Sequence, residues 1–168
     1  LKSQKLVKAE ALIRWQHPIH GIVSPFDFIP LAEETGLIIE ISDWLFNQVI
    51  KDITHWRNSY SENLQISINT SPRQYKDGDG NISRWLEYIK QEEINPKAIA
   101  FEITENLLMD SQSELEGILA EVKDAGIELS IDDFGTGYSS FSYLREFQTS
   151  YVKIDKSFVQ KMSQGSSD

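Results

Sequence analysis

Ile99-Ala100-Phe101-Glu102-Ile103-Thr104 decides the reading of this chain: Phe101 and Ile103 form one parity class, Glu102 and Thr104 the other. Side chains alternate across a β-strand, so this segment has one apolar and one polar face. The pattern recurs in Ile66 and Ile68 against Ser67 and Asn69, and in Val152 and Ile154 against Lys153 and Asp155. Central strands of an open doubly wound sheet are covered on both faces and read as near-continuous apolar runs. Strands with one polar face point to a barrel instead. The apolar class packs under outer helices and the polar class lines the interior, so the expected fold is α/β and TIM-barrel-like.

The segments between these strands read as helices. Ser24 then Pro25 makes a start, an N-cap hydroxyl with proline at the first helical position, and Gly36 a stop. A longer helix from Ile38 to about Trp56 places Ile41, Leu45, Val49, Ile53 and Trp56 on one face. A third begins near Asn81 and ends at Asn95-Pro96; a fourth is capped by Ser111, buries Leu115, Ile118, Leu119 and Val122, and closes at Gly126. Trp44, Phe46, Trp56 and Trp85 fall at helical spacing and are read as core. The first strand is expected over Ala9 to Trp15, with a loop through His17, Pro18 and Gly21. The later strands are Leu64 to Asn69, Ile99 to Thr104, Ile127 to Asp132 and Tyr151 to Asp155, with a short helix around Phe141 to Arg145.

The chain has 168 residues, is 40% hydrophobic, contains no cysteine and carries a net charge of −10. That supports one globular core without disulfides or zinc–thiolate sites. The acidic balance argues against a nucleic-acid polymer as partner, because phosphate backbones are bound by basic surfaces. No stretch is long and apolar enough to span a bilayer and the absence of cysteine fits a reducing cytoplasm, so the expectation is a cytoplasmic domain without direct membrane insertion, in a parent that can be membrane-anchored elsewhere.

Glu10, Asn69, Glu102, Asp132, Asp133 and Lys153 stand at or near the ends of successive strands. Acidic groups gathered this way repel one another, a cost that cations or a proton-transfer task offset. Taken singly, a carboxylate at a strand end is usually solvated, and Asp132-Asp133-Phe134-Gly135 could serve as a plain turn. His17, His20 and His55 form no ligand pattern.

Glu10-Ala11-Leu12 with Arg14 and Trp15, Ser67-Ile68-Asn69, Phe101-Glu102-Ile103-Thr104-Glu105, Asp132-Asp133-Phe134-Gly135-Thr136-Gly137 and Lys153-Ile154-Asp155-Lys156-Ser157-Phe158 occur in this order across nearly the whole chain. Together they resemble the EAL-domain family of cyclic di-GMP phosphodiesterases. The resemblance implies a modified TIM barrel that hydrolyses cyclic di-GMP to linear pGpG. It implies that Glu10, Asn69, Glu102 and Asp132 bind divalent metal, with Asp133 completing a second metal position. An all-oxygen donor set of this kind suits Mg2+ or Mn2+. By the same resemblance Lys153 helps hold water and phosphate, Arg14 grips substrate phosphate, and Leu12 offers a guanine an apolar surface. Glu105 steadies the loop from Asp133 to Ser140, which in the family links metal binding to homodimerisation.

A TIM barrel typically needs ~250 residues. The expectation is therefore a partial EAL domain over 1–168, lacking the family's first strand and its C-terminal strands. Its tail, Ser163 to Asp168, is read as the loop before the next helix. Such a piece is expected to hydrolyse feebly alone, and sensor or GGDEF domains can accompany the domain in a parent protein. The alternative reading is a catalytically inactive cyclic di-GMP receptor. Degenerate family members usually carry substitutions in the EAL or Asp-Asp-Phe-Gly motifs, and none occurs here.

Overall fold

The computed structural model describes residues 6–76, 80–105, 107, 113–135 and 149–163. Its main sheet holds β1 (Lys8–Ala11), β4 (Gln65–Asn69), β5 (Ile99–Thr104), β6 (Glu128–Phe134) and β7 (Tyr151–Ile154), all parallel and in that order. Each new strand joins the same side of the sheet. A doubly wound sheet would reverse its order at a switch point, whereas steady one-sided addition is how a barrel grows. The sheet also curls. In a flat five-stranded sheet the edges β1 and β7 lie about 19 Å apart, four steps of ~4.8 Å. Here Lys8 on β1 places Nζ 3.6 Å from the centre of the Tyr151 ring on β7, and Lys8 also pairs with Glu128 on β6 at 3.2 Å.

The parity reading holds for the interior strands. Ile66, Ile68, Phe101, Ile103 and Ile131 are buried in one cluster with residues of α2 (Ile38–Ser59), α3 (Ile82–Gln91) and α4 (Ser113–Asp124). Within it Phe46 stacks on Trp85 with ring centres 4.4 Å apart and planes 9° from parallel. On the edge strand β7 the apolar class, Val152 and Ile154, is exposed. A Phe46→Ala substitution is expected to cost about 3–5 kcal/mol by lost transfer energy and a residual cavity, measured by urea denaturation. A loss below 1 kcal/mol would mean that the stack is dispensable.

α1 (Pro25–Thr35) starts and stops as expected. Ser24 accepts a hydrogen bond from the Phe26 amide at 3.3 Å, and Gly36, at φ 83°, supplies the left-handed residue that ends the helix. α4 buries the four residues assigned to its inner face.

Other expectations need correction. The first strand does not run from Ala9 to Trp15: β1 ends at Ala11, and Trp15–His17 is β2 of a separate antiparallel hairpin with β3 (Gly21–Val23). His17 thus belongs to a strand, and its Nδ1 accepts from the amides of Ile19 and His20 at 3.1 and 3.2 Å, closing the turn. The buried face of α2 is turned from the expected one, since Ser42, Phe46, Val49, Ile50 and Ile53 are buried while Ile41 and Leu45 are half-buried. Trp44 and Trp56 are not core, being 56% and 37% exposed. α3 ends at Gln91, and Asn95-Pro96 opens a 3₁₀ turn (Pro96–Ala98) instead. β6 runs on to Phe134, two residues past its expected end. Ser163, read as the start of the tail loop, is instead the last residue of a helix (Lys156–Ser163), while Ser111, the loop from Thr136 to Ser140, the helix around Phe141 to Arg145 and the rest of the tail from Gln164 lie outside the described residues. Among the described residues no helix is long and apolar enough to cross a membrane.

Candidate metal centre

Parallel strands bring their C-terminal ends to one rim, so polar residues far apart in sequence meet there. Asn69 at the end of β4 faces Glu102 of β5 in register, and Glu102 faces Ser130 of β6. Glu10 reaches in from β1 and Lys153 from β7. Carboxylate oxygens of Glu10, Glu102 and Asp132 lie within 4.8 Å of one another. Between them sits the Lys153 ammonium, donating to Glu102 Oε2 at 2.5 Å, Asp132 Oδ2 at 3.3 Å and Glu10 Oε2 at 3.4 Å. Asn69 Nδ2 donates to Glu10 Oε1 at 2.7 Å, which leaves its carbonyl oxygen as the atom it can offer a cation.

This arrangement passes a test of fit for a divalent cation. The donors are all oxygen, as hard cations require, and the lysine ammonium already stands in for positive charge at the point where three carboxylates converge. Glu102 is 3% exposed, so a full charge there needs a close counter-ion.

Asp133 lies beside this group rather than within it. A register shift between Ile131 and Phe134 breaks the ladder, and Asp133 takes φ 52°, its amide donating to Asp132 Oδ1 at 2.9 Å. Leu12 and Arg14 do not share a strand face with Glu10, because the chain leaves β1 after Ala11. Even so, both line a cleft of about 460 Å3 with Asn69, Glu102 and Thr104. Leu12 is 55% exposed, and Arg14 Nη1 donates to the Ile13 carbonyl at 2.7 Å.

The family model of the EAL domain matches residues 1–168. This chain belongs to the EAL domain family. A Synechocystis protein, sll1895, is 42% identical over 95% of this EAL domain, which spans 23% of that protein. The bifunctional diguanylate cyclase/cyclic di-GMP phosphodiesterase MucR of Pseudomonas aeruginosa is 34% identical over 97% of the chain and 24% of its own length. The chain thus spans about a quarter of these relatives. Among solved structures, the PaMucR phosphodiesterase in complex with c-di-GMP superposes with a TM-score of 0.85 at 33% identity, covering 94% of this chain and 63% of that one.

Electrostatics in the EAL domain follow from the cluster. Burial alone would lower the Lys153 pKa, but the Glu102 hydrogen bond and the charges of Glu102, Asp132 and Glu10 outweigh it, so the net shift is upward. Lys153 is therefore a fixed cation here, not a neutral amine. Asp133 is raised, first by burial and then by the neighbouring Asp132 and Asp155, while hydrogen bonds from Ser157 lower Asp155.

Glu105 is buried, and its Oε2 accepts the Gly135 amide at 3.0 Å. Gly135 adopts φ 98°, and a Cβ there would meet the Phe158 ring at 2.7 Å, so only glycine fits. Sequence reading passed over Thr70 and Tyr75. Thr70 Oγ1 lies 2.9 Å from Tyr75 Oη and donates to the Glu102 carbonyl at 2.8 Å. The available signal was weak: a threonine directly after a strand that carries a candidate ligand, and a tyrosine at the end of the turn that follows.

Proposed function

We propose that this EAL domain hydrolyses cyclic di-GMP to linear pGpG at a divalent-metal centre. The observation that carries the reading is the convergence of Glu10, Glu102 and Asp132 on one cationic point at the strand C-terminal rim. The activity named for MucR and the ligand in the PaMucR complex support the choice of substrate. Glu10, Asn69, Glu102 and Asp132 would hold Mg2+ or Mn2+, and Asp133 would complete a second position. When bound, such ions lower the pKa of an attacking water and offset charge on phosphate oxygens.

The chain's own side chains supply the rest. Arg14 exchanges its bond to the Ile13 carbonyl for a phosphate oxygen, and Leu12 covers a guanine face in the same cleft. Lys153 Nζ donates to the water or to a phosphate oxygen. Glu105 keeps Gly135, and with it the turn after Asp132 and Asp133, in one conformation. Water oxygen bonds to phosphorus as one P–O3′ bond breaks. The departing 3′ oxygen takes a proton, and a 5′-phosphate remains on the linear product. A homodimer, a cytoplasmic setting and an accompanying cyclase or sensor domain belong to the same reading.

The full-length protein, incubated with cyclic di-GMP and Mg2+ or Mn2+, is expected to yield pGpG by liquid chromatography. Excess chelator should stop the reaction. Substituting Ca2+ should suppress it, because a larger ion with more ligands loosens in-line geometry. Undiminished hydrolysis in chelator would refute the metal-dependent mechanism.

A further inference from the structure

Immediately after the Asn69–Glu102 pair, the chain leaves β4 and makes a second attachment to β5. The Thr70 amide and the Thr70 hydroxyl both donate to the Glu102 carbonyl, at 2.9 and 2.8 Å, and so occupy both of its lone pairs. A threonine hydroxyl has one proton. With that proton spent on Glu102, the 2.9 Å contact between Thr70 Oγ1 and Tyr75 Oη must be donated by tyrosine. The result is a directed chain, Tyr75 O–H to Thr70 O–H to the Glu102 carbonyl, in which each bond polarises the next. Both hydroxyl residues are buried, and burial pushes the Tyr75 phenol upward, which keeps it a donor.

Tyr75 is itself held rigidly. It ends a 3₁₀ turn (Pro72–Tyr75) closed by a capping box, in which the Ser71 amide donates to Gln74 Oε1 at 2.8 Å. Ser71 Oγ donates to Glu33 of α1 at 2.7 Å. Gln74 Nε2 donates to Asn81, whose amide in turn donates to Asp43 of α2 at 2.8 Å. The hydroxyl chain therefore ties the backbone of a candidate ligand to α1, α2 and the start of α3.

We propose that Thr70 and Tyr75 are positioning residues that fix Glu102 opposite Asn69 and thereby set the cation affinity of the centre. The inference rests on the metal-centre reading above. Groups behind the immediate ligands typically change metal affinity or activity by 10- to 100-fold when removed.

The test is Mn2+ titration of the full-length protein without substrate, with free Mn2+ read by electron paramagnetic resonance. Tyr75→Phe and Thr70→Val are expected to weaken binding about tenfold or more, whereas Thr70→Ser, which keeps the hydroxyl, should stay within about twofold of the parent. Turnover in Tyr75→Phe should recover at saturating Mn2+, a response that general loss of structure would not give. If Thr70→Val does not fold, Tyr75→Phe, which removes one oxygen and keeps the ring, decides the matter. Binding in Tyr75→Phe within twofold of the parent would overturn the positioning role while leaving the metal centre standing. A serine variant as weak as the valine variant would also overturn it. Absence of Mn2+ binding in the unsubstituted protein would overturn both.

Discussion

Glu102→Gln is expected to lower hydrolysis of cyclic di-GMP by at least about a thousandfold, with only a small change in melting temperature measured in chelator. The size follows from removing a charged group aimed at the reacting centre, where single preorganised groups are worth about 10²–10³ and a lost metal ligand adds to that. The small stability change follows from opposing terms. Glutamine preserves the volume and packing at the middle of the sheet. It gives up the charge-assisted bond to Lys153 at 2.5 Å, but it also removes one of three mutually repelling carboxylates. Turnover and Mn2+ affinity should fall together. Turnover within tenfold of the parent would remove Glu102 from the centre.

Lys153→Met should reduce turnover by about a hundredfold or more and, unlike Glu102→Gln, should destabilise the metal-free protein. Without the ammonium, Glu10, Glu102 and Asp132 face one another with no other ion-pair partner among the described residues. Unit charges about 4 Å apart interact by roughly 4 kcal/mol at an effective dielectric of 20, reduced further where water reaches them. Mg2+ relieves this repulsion and meets no competing ammonium. Its stabilising effect, which grows as the logarithm of ligand over Kd, should therefore be larger in the variant than in the parent. Melting curves with and without Mg2+ measure the difference. An equal or smaller Mg2+ increment would show that Lys153 does not occupy cation space.

The sign of the pH effect follows from the same cluster. A lysine whose folded pKa is raised contributes stability that is fully present below its ordinary value of 10.5 and is lost as pH rises through the raised value. The Lys153 contribution should accordingly be flat between pH 6 and 9.

Much of the sheet was legible because each interior strand obeys period two under one covered face. Ile68 and Phe101 could be assigned outward, and Asn69 and Glu102 inward, from alternation alone. The helix ends at Ser24 and Gly36 were legible for a local reason, since capping chemistry acts within one turn. The hairpin was missed because β2 and β3 have three residues each, and Leu12, Ile13 and Arg14 continue the alternation of β1 although the chain has already left the sheet. Trp44 and Trp56 misled because aromatic spacing on α2 predicts a face but not which face the sheet covers. The hydroxyl chain from Tyr75 to Glu102 was invisible because it joins residues with no common period. Asp133 shows the limit at the site itself. Its identity was readable, but the register shift that gives it positive φ depends on how β6 meets β7.

Glu10 and Lys153 are 143 residues apart in the chain, yet their side chains meet across the hollow of the sheet. A contact of that span closes late, because loop closure must precede any return from non-local pairing and parallel sheets form slowly. During synthesis the three carboxylates leave the ribosome before Lys153, the lysine that pairs with all three among the described residues, so the emerging chain carries an acidic rim without that partner until β7 docks. Glu10 must also reach Glu102 and Asp132 across β1, β4, β5 and β6 before the three carboxylates can share a cation, so cation binding is a late product of sheet assembly, and its recovery after dilution from urea should trail the return of helical signal.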